Sequence, residues 1–158
     1  MAISNRGRTS HSTYFVTSST FDKRQLLQNP SYAALLLDVI QSHRSHERFD
    51  LHAYVIMPDH FHLLLTPSRQ LTLERVIQFI KGGFSFRIRK EFGFAAEVWQ
   101  TSFYDHRVRD WEEFDRLRTY IHMNPVRRRL ATMPSEYQFS SAAMPHMDAV
   151  PQRLKPAI

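Results

Sequence analysis

Residues 60–65, HFHLLL, offer different things to the two sides of an extended chain: Phe61, Leu63 and Leu65 on one, His60, His62 and Leu64 on the other. Side chains two apart share a strand face. The purely apolar set is therefore expected in the core and the histidines together on the opposite face. Upstream, FDLHAYVIM (49–57) also has strand character, and Pro58 with Asp59 interrupts it, so this region predicts a hairpin. STYFVTSS (12–19) predicts a first strand, with Tyr14 and Val16 on one face and Phe15 on the other. After Pro30, Ala33, Leu36, Leu37 and Ile40 recur at helical spacing. Leu73, Val76, Ile77 and Ile80 do the same in a second helix expected to start near Leu71, where Gly82 and Gly83 either weaken the helix or admit a close neighbour. VWQTSFYDHRVR (98–109) predicts a fourth strand. Asp110 followed by Glu113 announces a third helix with a capping box. Pro125 is expected to end that helix, because a residue before proline resists helical geometry.

The order strand, helix, strand, strand, helix, strand, helix predicts an α+β fold: a single antiparallel sheet with helices on one face, ferredoxin-like. The other sheet face is left for a ligand or for the last helix. Residues 1–12 read as a flexible basic arm, 13–133 as the folded domain, and 134–158, rich in proline and alanine, as a partly mobile extension. No internal repeat is visible.

Composition narrows the partner. The 158 residues are 42% hydrophobic and 13% aromatic, enough for one domain with a real core. Lys plus Arg number 21 against 15 Asp plus Glu, a formal charge of +6 that favours a polyanion such as nucleic acid. Cysteine is absent, which excludes disulfides, a thiolate nucleophile and Cys-ligated zinc. No signal-peptide pattern is visible, and nothing approaches the roughly 20 apolar residues of a membrane span. The expectation is a cytoplasmic protein with no membrane partner.

The histidine pair admits two readings, metal ligands or two histidines tolerated at the mouth of a strand. Imidazole is the commonest metal ligand, but H-x-H alone is unspecific. A second signal lies in YIHMNPVRR (120–128), where Tyr120 and Asn124 stand four apart on a helix, at the border of an apolar stripe of Phe114, Leu117 and Ile121. Alone, they read as a half-buried tyrosine and an asparagine before proline. With the histidines they suggest one site, a helix delivering a nucleophile and an oxygen ligand to the strand.

YVIMPDHFHLLLTP, VWQTSFYDHRVRD and YIHMNPV, in this order and spacing, resemble the single-tyrosine HUH transposases, and more narrowly their REP-associated branch in bacteria. PSEYQFSSA (134–142) is similar to that branch's aromatic-Ser-Ser signature. The resemblance spans about residues 12–143. It implies cleavage and rejoining of single-stranded DNA at hairpin-associated, REP-like repeats. It also implies a divalent metal, Mg2+ or Mn2+, a 5′-phosphotyrosine intermediate, and a bacterial cytoplasmic, nucleoid-associated protein acting as a monomer or homodimer. On this resemblance His60 and His62 match the HUH pair, Tyr120 the nucleophile and Asn124 the third metal ligand, while His106 is a candidate for positioning phosphate or metal. A phenol titrates at about 10, so a tyrosine nucleophile needs help at neutral pH. A cation held by neutral ligands, which leave it its full charge, would provide that help.

The nucleic-acid contacts expected from charge are Lys81, Arg87, Arg89 and Lys90, interleaved with Phe84, Phe86 and Ile88. Arg127, Arg128 and Arg129 follow the helix, and Arg6 and Arg8 lie on the arm. Such groups bind phosphate without specifying sequence. Trp99, Phe103 and Tyr104 are candidates for stacking on bases, or for the core. One departure stands out: relatives commonly carry glycine shortly after NPV, where this chain reads NPVRRRLA. Two alternatives remain open from the residues. One is an RNA or single-stranded DNA binding module on the same fold, and the other is a metal hydrolase that activates water.

Overall fold

The computed structural model describes residues 11–144 and 146–156. Arg6 and Arg8 lie outside the described residues. The elements follow in the expected order: β1 (Tyr14–Ser19), α1 (Pro30–Ser45), β2 (Phe49–Met57), β3 (His60–Pro67), α2 (Leu73–Phe92), β4 (Tyr104–Arg107) and α3 (Trp111–Arg127). The strands form one antiparallel sheet ordered β2-β3-β1-β4.

Alternation along the strands divides the interior in two. Tyr14, Val16, Phe61, Leu63 and Leu65 face α1 and α2, whose buried stripes include Leu36, Ile40, Ile77 and Ile80. Phe15, Ala53, Val55, Met57 and Leu64 face α3, which supplies Phe114 and Ile121. The third helix thus occupies the sheet face that carries His60 and His62. Gly83 is where α1 and α2 pass closely, since a Cβ there would stand 3.2 Å from Val39 Cγ1.

Two expectations need correction. The fourth strand is confined to Tyr104–Arg107. Trp99 instead forms an isolated bridge with Thr20 and donates its indole N–H to the Lys81 carbonyl at 3.0 Å. The polar residues 100–102 then lead out before the strand begins. Pro125 does not end α3, which runs on to Arg127. Proline removes one N–H and so one bond to the Ile121 carbonyl, a tolerable loss in a last turn. What ends the helix is a Schellman arrangement, with Arg129 N–H donating to Val126 O at 3.0 Å and Leu130 N–H to Pro125 O at 2.8 Å. This requires a left-handed residue, and Arg129 has φ 60°. It stands in the stretch where relatives commonly carry glycine, and the left-handed conformation costs a residue bearing Cβ about 1 kcal/mol. Arg129→Gly is accordingly expected to raise stability by up to about 1 kcal/mol, less the entropy glycine adds to the unfolded chain, measured as a higher urea midpoint.

The described part of the extension expected over 134–158 meets the otherwise open edge of β2 at two places. Ile56 N–H donates to Phe139 O at 2.8 Å, and Asp148 N–H to Leu51 O at 2.8 Å. The Asp148 carboxylate accepts from Leu51 N–H and pairs with Arg44, each at 2.8 Å. Covering an edge strand removes its free hydrogen-bonding groups from solvent. The aromatic-Ser-Ser stretch has a definite place in this cover. Ser141 Oγ accepts from Tyr54 N–H at 2.9 Å and lies 2.8 Å from His122 Nε2, tying α3 to the strap and the edge strand.

Candidate active site

His60 and His62 enter from β3 on the face covered by α3, with ring centroids 4.8 Å apart. Both are nearly buried. Each ring is held through Nδ1: His60 by the Asp59 carboxylate at 2.6 Å, His62 by Thr17 Oγ1 at 2.7 Å across the β1–β3 pairing. A carboxylate accepts from Nδ1–H, which leaves the His60 Nε2 lone pair free, and Thr17 can do the same for His62. His62 Nε2 is fully buried and has no hydrogen-bond partner. A buried nitrogen without a partner is costly. His52 makes the contrast: it is equally buried, yet Nδ1 lies 3.0 Å from Asp148 O and Nε2 2.9 Å from Thr66 Oγ1.

Burial pushes His62 down to about 3, and the charges of His60, Arg128 and Arg127 act in the same direction. Burial also lowers His60, against the opposing hydrogen bond from Asp59. The pair is therefore neutral at physiological pH, the form that donates lone pairs to a metal. The orphaned Nε2 and the fixed Nδ1 partners fit a cation site. Among the described residues no group of three or more His, Cys, Asp or Glu is placed so that it could hold a metal ion.

The same burial has a consequence for stability. His52 and His122 are also lowered, chiefly by burial. Unfolded histidines bind protons below their ordinary value of 6.5, while these folded ones take them up only at lower pH. Stability is thus expected to be level above that pH and to fall as pH drops below it. His62 alone would account for about 1.4 kcal/mol at pH 5.5. Urea midpoints at pH 7.5 and 5.5 check this. The depressed carboxyls do not interfere, because their unfolded counterparts protonate only at lower pH.

Tyr120 comes from α3. Its ring lies 5.5 Å from that of His62 and 6.0 Å from Phe15, and the residue is 41% exposed, open to a substrate. Phe15 stacks on His62 at 5.3 Å and so fixes both rings. The Arg127 guanidinium sits 4.5 Å over the Tyr120 ring and donates to the Tyr120 carbonyl at 2.9 Å. Asn124, one turn further along α3, is 4% exposed. It is the amide on the buried side of the helix nearest in sequence to Tyr120.

The other expected site residues are distributed differently. His106 lies on β4 opposite Phe15, and its Nε2 is 2.8 Å from the Glu113 carboxylate. Burial raises the Glu113 carboxyl, but the Arg109 amide and His106 together hold it below its ordinary value. This pair anchors the start of α3, where Asp110 caps the helix by accepting from Glu113 N–H at 2.9 Å. Lys81 donates to the carbonyls of Gln100 at 2.9 Å and Ser102 at 3.5 Å, and burial lowers its ammonium. Arg87 is paired with Asp38 and Glu91, both at 2.6 Å. Arg89 and Lys90 are exposed on α2, across the sheet from the histidines. Arg127 and Arg128 remain beside the site. Sequence reasoning missed Thr17, Asp59 and Phe15. Asp59 had a local signal, an acid directly before the first histidine.

A family model described as "Transposase IS200 like" matches residues 9–124. The REP-associated tyrosine transposase of Escherichia coli (strain K12) is 27% identical over 135 residues, covering 82% of this chain and 75% of the relative. A solved structure of a REP-associated tyrosine transposase bound to a REP hairpin superposes with a TM-score of 0.75 at 22% identity, covering 100% of this chain and 99% of the other.

Proposed function

The chain belongs to the IS200-like transposase family, an enzyme acting on DNA. From that premise we propose that it cleaves and rejoins single-stranded DNA at hairpin-associated sites, with Tyr120 as nucleophile and with His60, His62 and Asn124 holding a divalent metal. The observation that carries this reading is the Tyr120 ring 5.5 Å from His62, whose buried Nε2 has no partner.

Tyr120 Oη attacks the scissile phosphorus. A bond from Oη to phosphorus forms, the bond to the 3′ oxygen breaks, the phenolic proton leaves to solvent, and the departing 3′ oxygen takes up a proton. The 5′ side stays on the protein as a phosphotyrosine. Attack by a 3′ hydroxyl reverses the bonds, so no ATP is required. A bound magnesium or manganese ion supplies the charge that polarises the phosphate. The histidines bind in neutral form, and Phe15 and Arg127 hold the Tyr120 ring in place. Arg128, whose charge acts on both histidines, favours an anion at the same spot. The hairpin as substrate is supported by the matched structure, which is that of a relative bound to a REP hairpin.

The outer partners of the histidines matter as much as the rings. Asp59→Ala releases His60 Nδ1 and is expected to weaken manganese binding by roughly 10- to 100-fold, read by calorimetric titration. The substrate is tested with end-labelled hairpin DNA from repeats beside the gene, incubated with manganese and run on a denaturing gel. Cleavage beside the hairpin, suppressed by EDTA and absent on a strand unable to fold back, supports the reading. Tight binding with no cleavage across several hairpins would sink it in favour of a nucleic-acid binding module.

A further inference from the structure

A cleft of about 310 Å³ opens on the β1–β4 side of the histidines, lined among others by Thr17, Ser19, Lys23, Gln100, Ser102 and Tyr104. Its floor is β1, the strand paired with the one that carries the histidines: Thr17 stands opposite His62 and Ser19 opposite His60. Neighbouring strands lie about 4.8 Å apart, so the cleft begins one strand spacing from the metal-competent pair. Its wall is unusual. Of the three aromatics in 98–104, Trp99 is 8% exposed and Phe103 packs against the core, whereas Tyr104 is 53% exposed. Tyr104 stands opposite Thr17 and meets Phe15 edge-on at 6.4 Å, so one run of rings joins it to Tyr120. Lys23 adds positive charge close enough to act on His60. The shape of this wall is fixed by Lys81, which ties down the Gln100 and Ser102 carbonyls.

An exposed aromatic face, a cation and side-chain amide and hydroxyl groups beside a phosphate-cleaving centre match an unpaired nucleotide, because every base has a π-face and every link a phosphate. We propose that this cleft holds the nucleobase adjoining the scissile phosphate, stacked on Tyr104, with Lys23 on the neighbouring phosphate. The inference rests on the strand-cleaving reading of the same site. It adds that the unpaired strand leaves the histidines toward β4, and that stacking sets which phosphate reaches Tyr120.

The test uses hairpin DNA carrying 2-aminopurine singly at each unpaired position around the cut, bound to the Tyr120→Phe protein with manganese. One position next to the cut should be strongly quenched. Adding Tyr104→Ala should restore its fluorescence and weaken binding by roughly 5- to 150-fold, while adding Tyr104→Phe, which keeps the ring, should preserve both. Quenching unchanged by Tyr104→Ala, or confined to positions remote from the cut, would overturn the proposal. The readout needs no cleavage, so a failure of the tyrosine chemistry and a failure of the base cleft give separate results.

Discussion

Replacing His62 with alanine is expected to reduce metal-dependent cleavage to background, a fall on the order of a thousandfold or more. His62 combines a Nδ1 held by Thr17, a ring stacked on Phe15 and a buried Nε2 with no partner. Removing the ring takes away a proposed metal ligand and also the surface against which Phe15 and Tyr120 are set. His62→Gln separates the two effects, since it keeps most of the volume. It should fold with an unchanged urea midpoint at pH 7.5 and still fail to cleave. At pH 5.5 it should lose less stability than the parent, because the histidine whose protonation is suppressed on folding is gone. Binding of hairpin DNA without metal should stay within a few-fold of the parent, as the exposed Arg89, Lys90, Arg127 and Arg128 are untouched. Normal cleavage by His62→Gln would remove the histidine pair from the mechanism.

Tyr120→Phe should produce an equally large loss by a different route. The substitution deletes one oxygen and keeps the ring contacts with His62, Phe15 and Arg127. With the ring left in place, the fold, the melting temperature and manganese affinity should be unchanged. Cleavage should nevertheless drop to background, because nothing remains to form the covalent link. DNA affinity should remain within about twofold, since an exposed phenol adds little to a phosphate-dominated interface. The pair of results, activity lost and binding kept, separates a nucleophile from a residue that shapes the site. Retained cleavage would assign the attack to water.

Much of this site is readable along the chain because it is local. The H-x-H alternation placed both histidines on one strand face, and a four-residue step placed Tyr120 and Asn124 on one side of a capped helix. The approach of Tyr120 to His62 was not readable, since it depends on α3 crossing to the sheet face opposite α1 and α2. Thr17 escaped notice because its contact with His62 spans 45 residues and exists only through strand pairing. Pro125 misled because the preference of its predecessor for extended backbone is weaker than the packing of a buried last turn; the stop lies at Arg129, a position with no glycine to announce it. Phe139, Ser140 and Ser141 carried a family signature without a local structure, as their partners are the edge of β2 and His122. The basic run in α2 matched a nucleic-acid surface by composition, but Lys81 and Arg87 are engaged within the protein, and charge counts do not distinguish a paired arginine from a free one.

A covalent bond between Tyr120 and the DNA would be seen in peptide mapping of the trapped complex. The protein is mixed with single-stranded hairpin DNA and manganese, denatured, treated with nuclease and digested with trypsin, then analysed by mass spectrometry. The expected result is a nucleotide-bearing peptide spanning residues 119–127, with the added mass on Tyr120 and no such species when EDTA is present. An adduct on any other peptide, or cleaved DNA with no adduct at all, would contradict it.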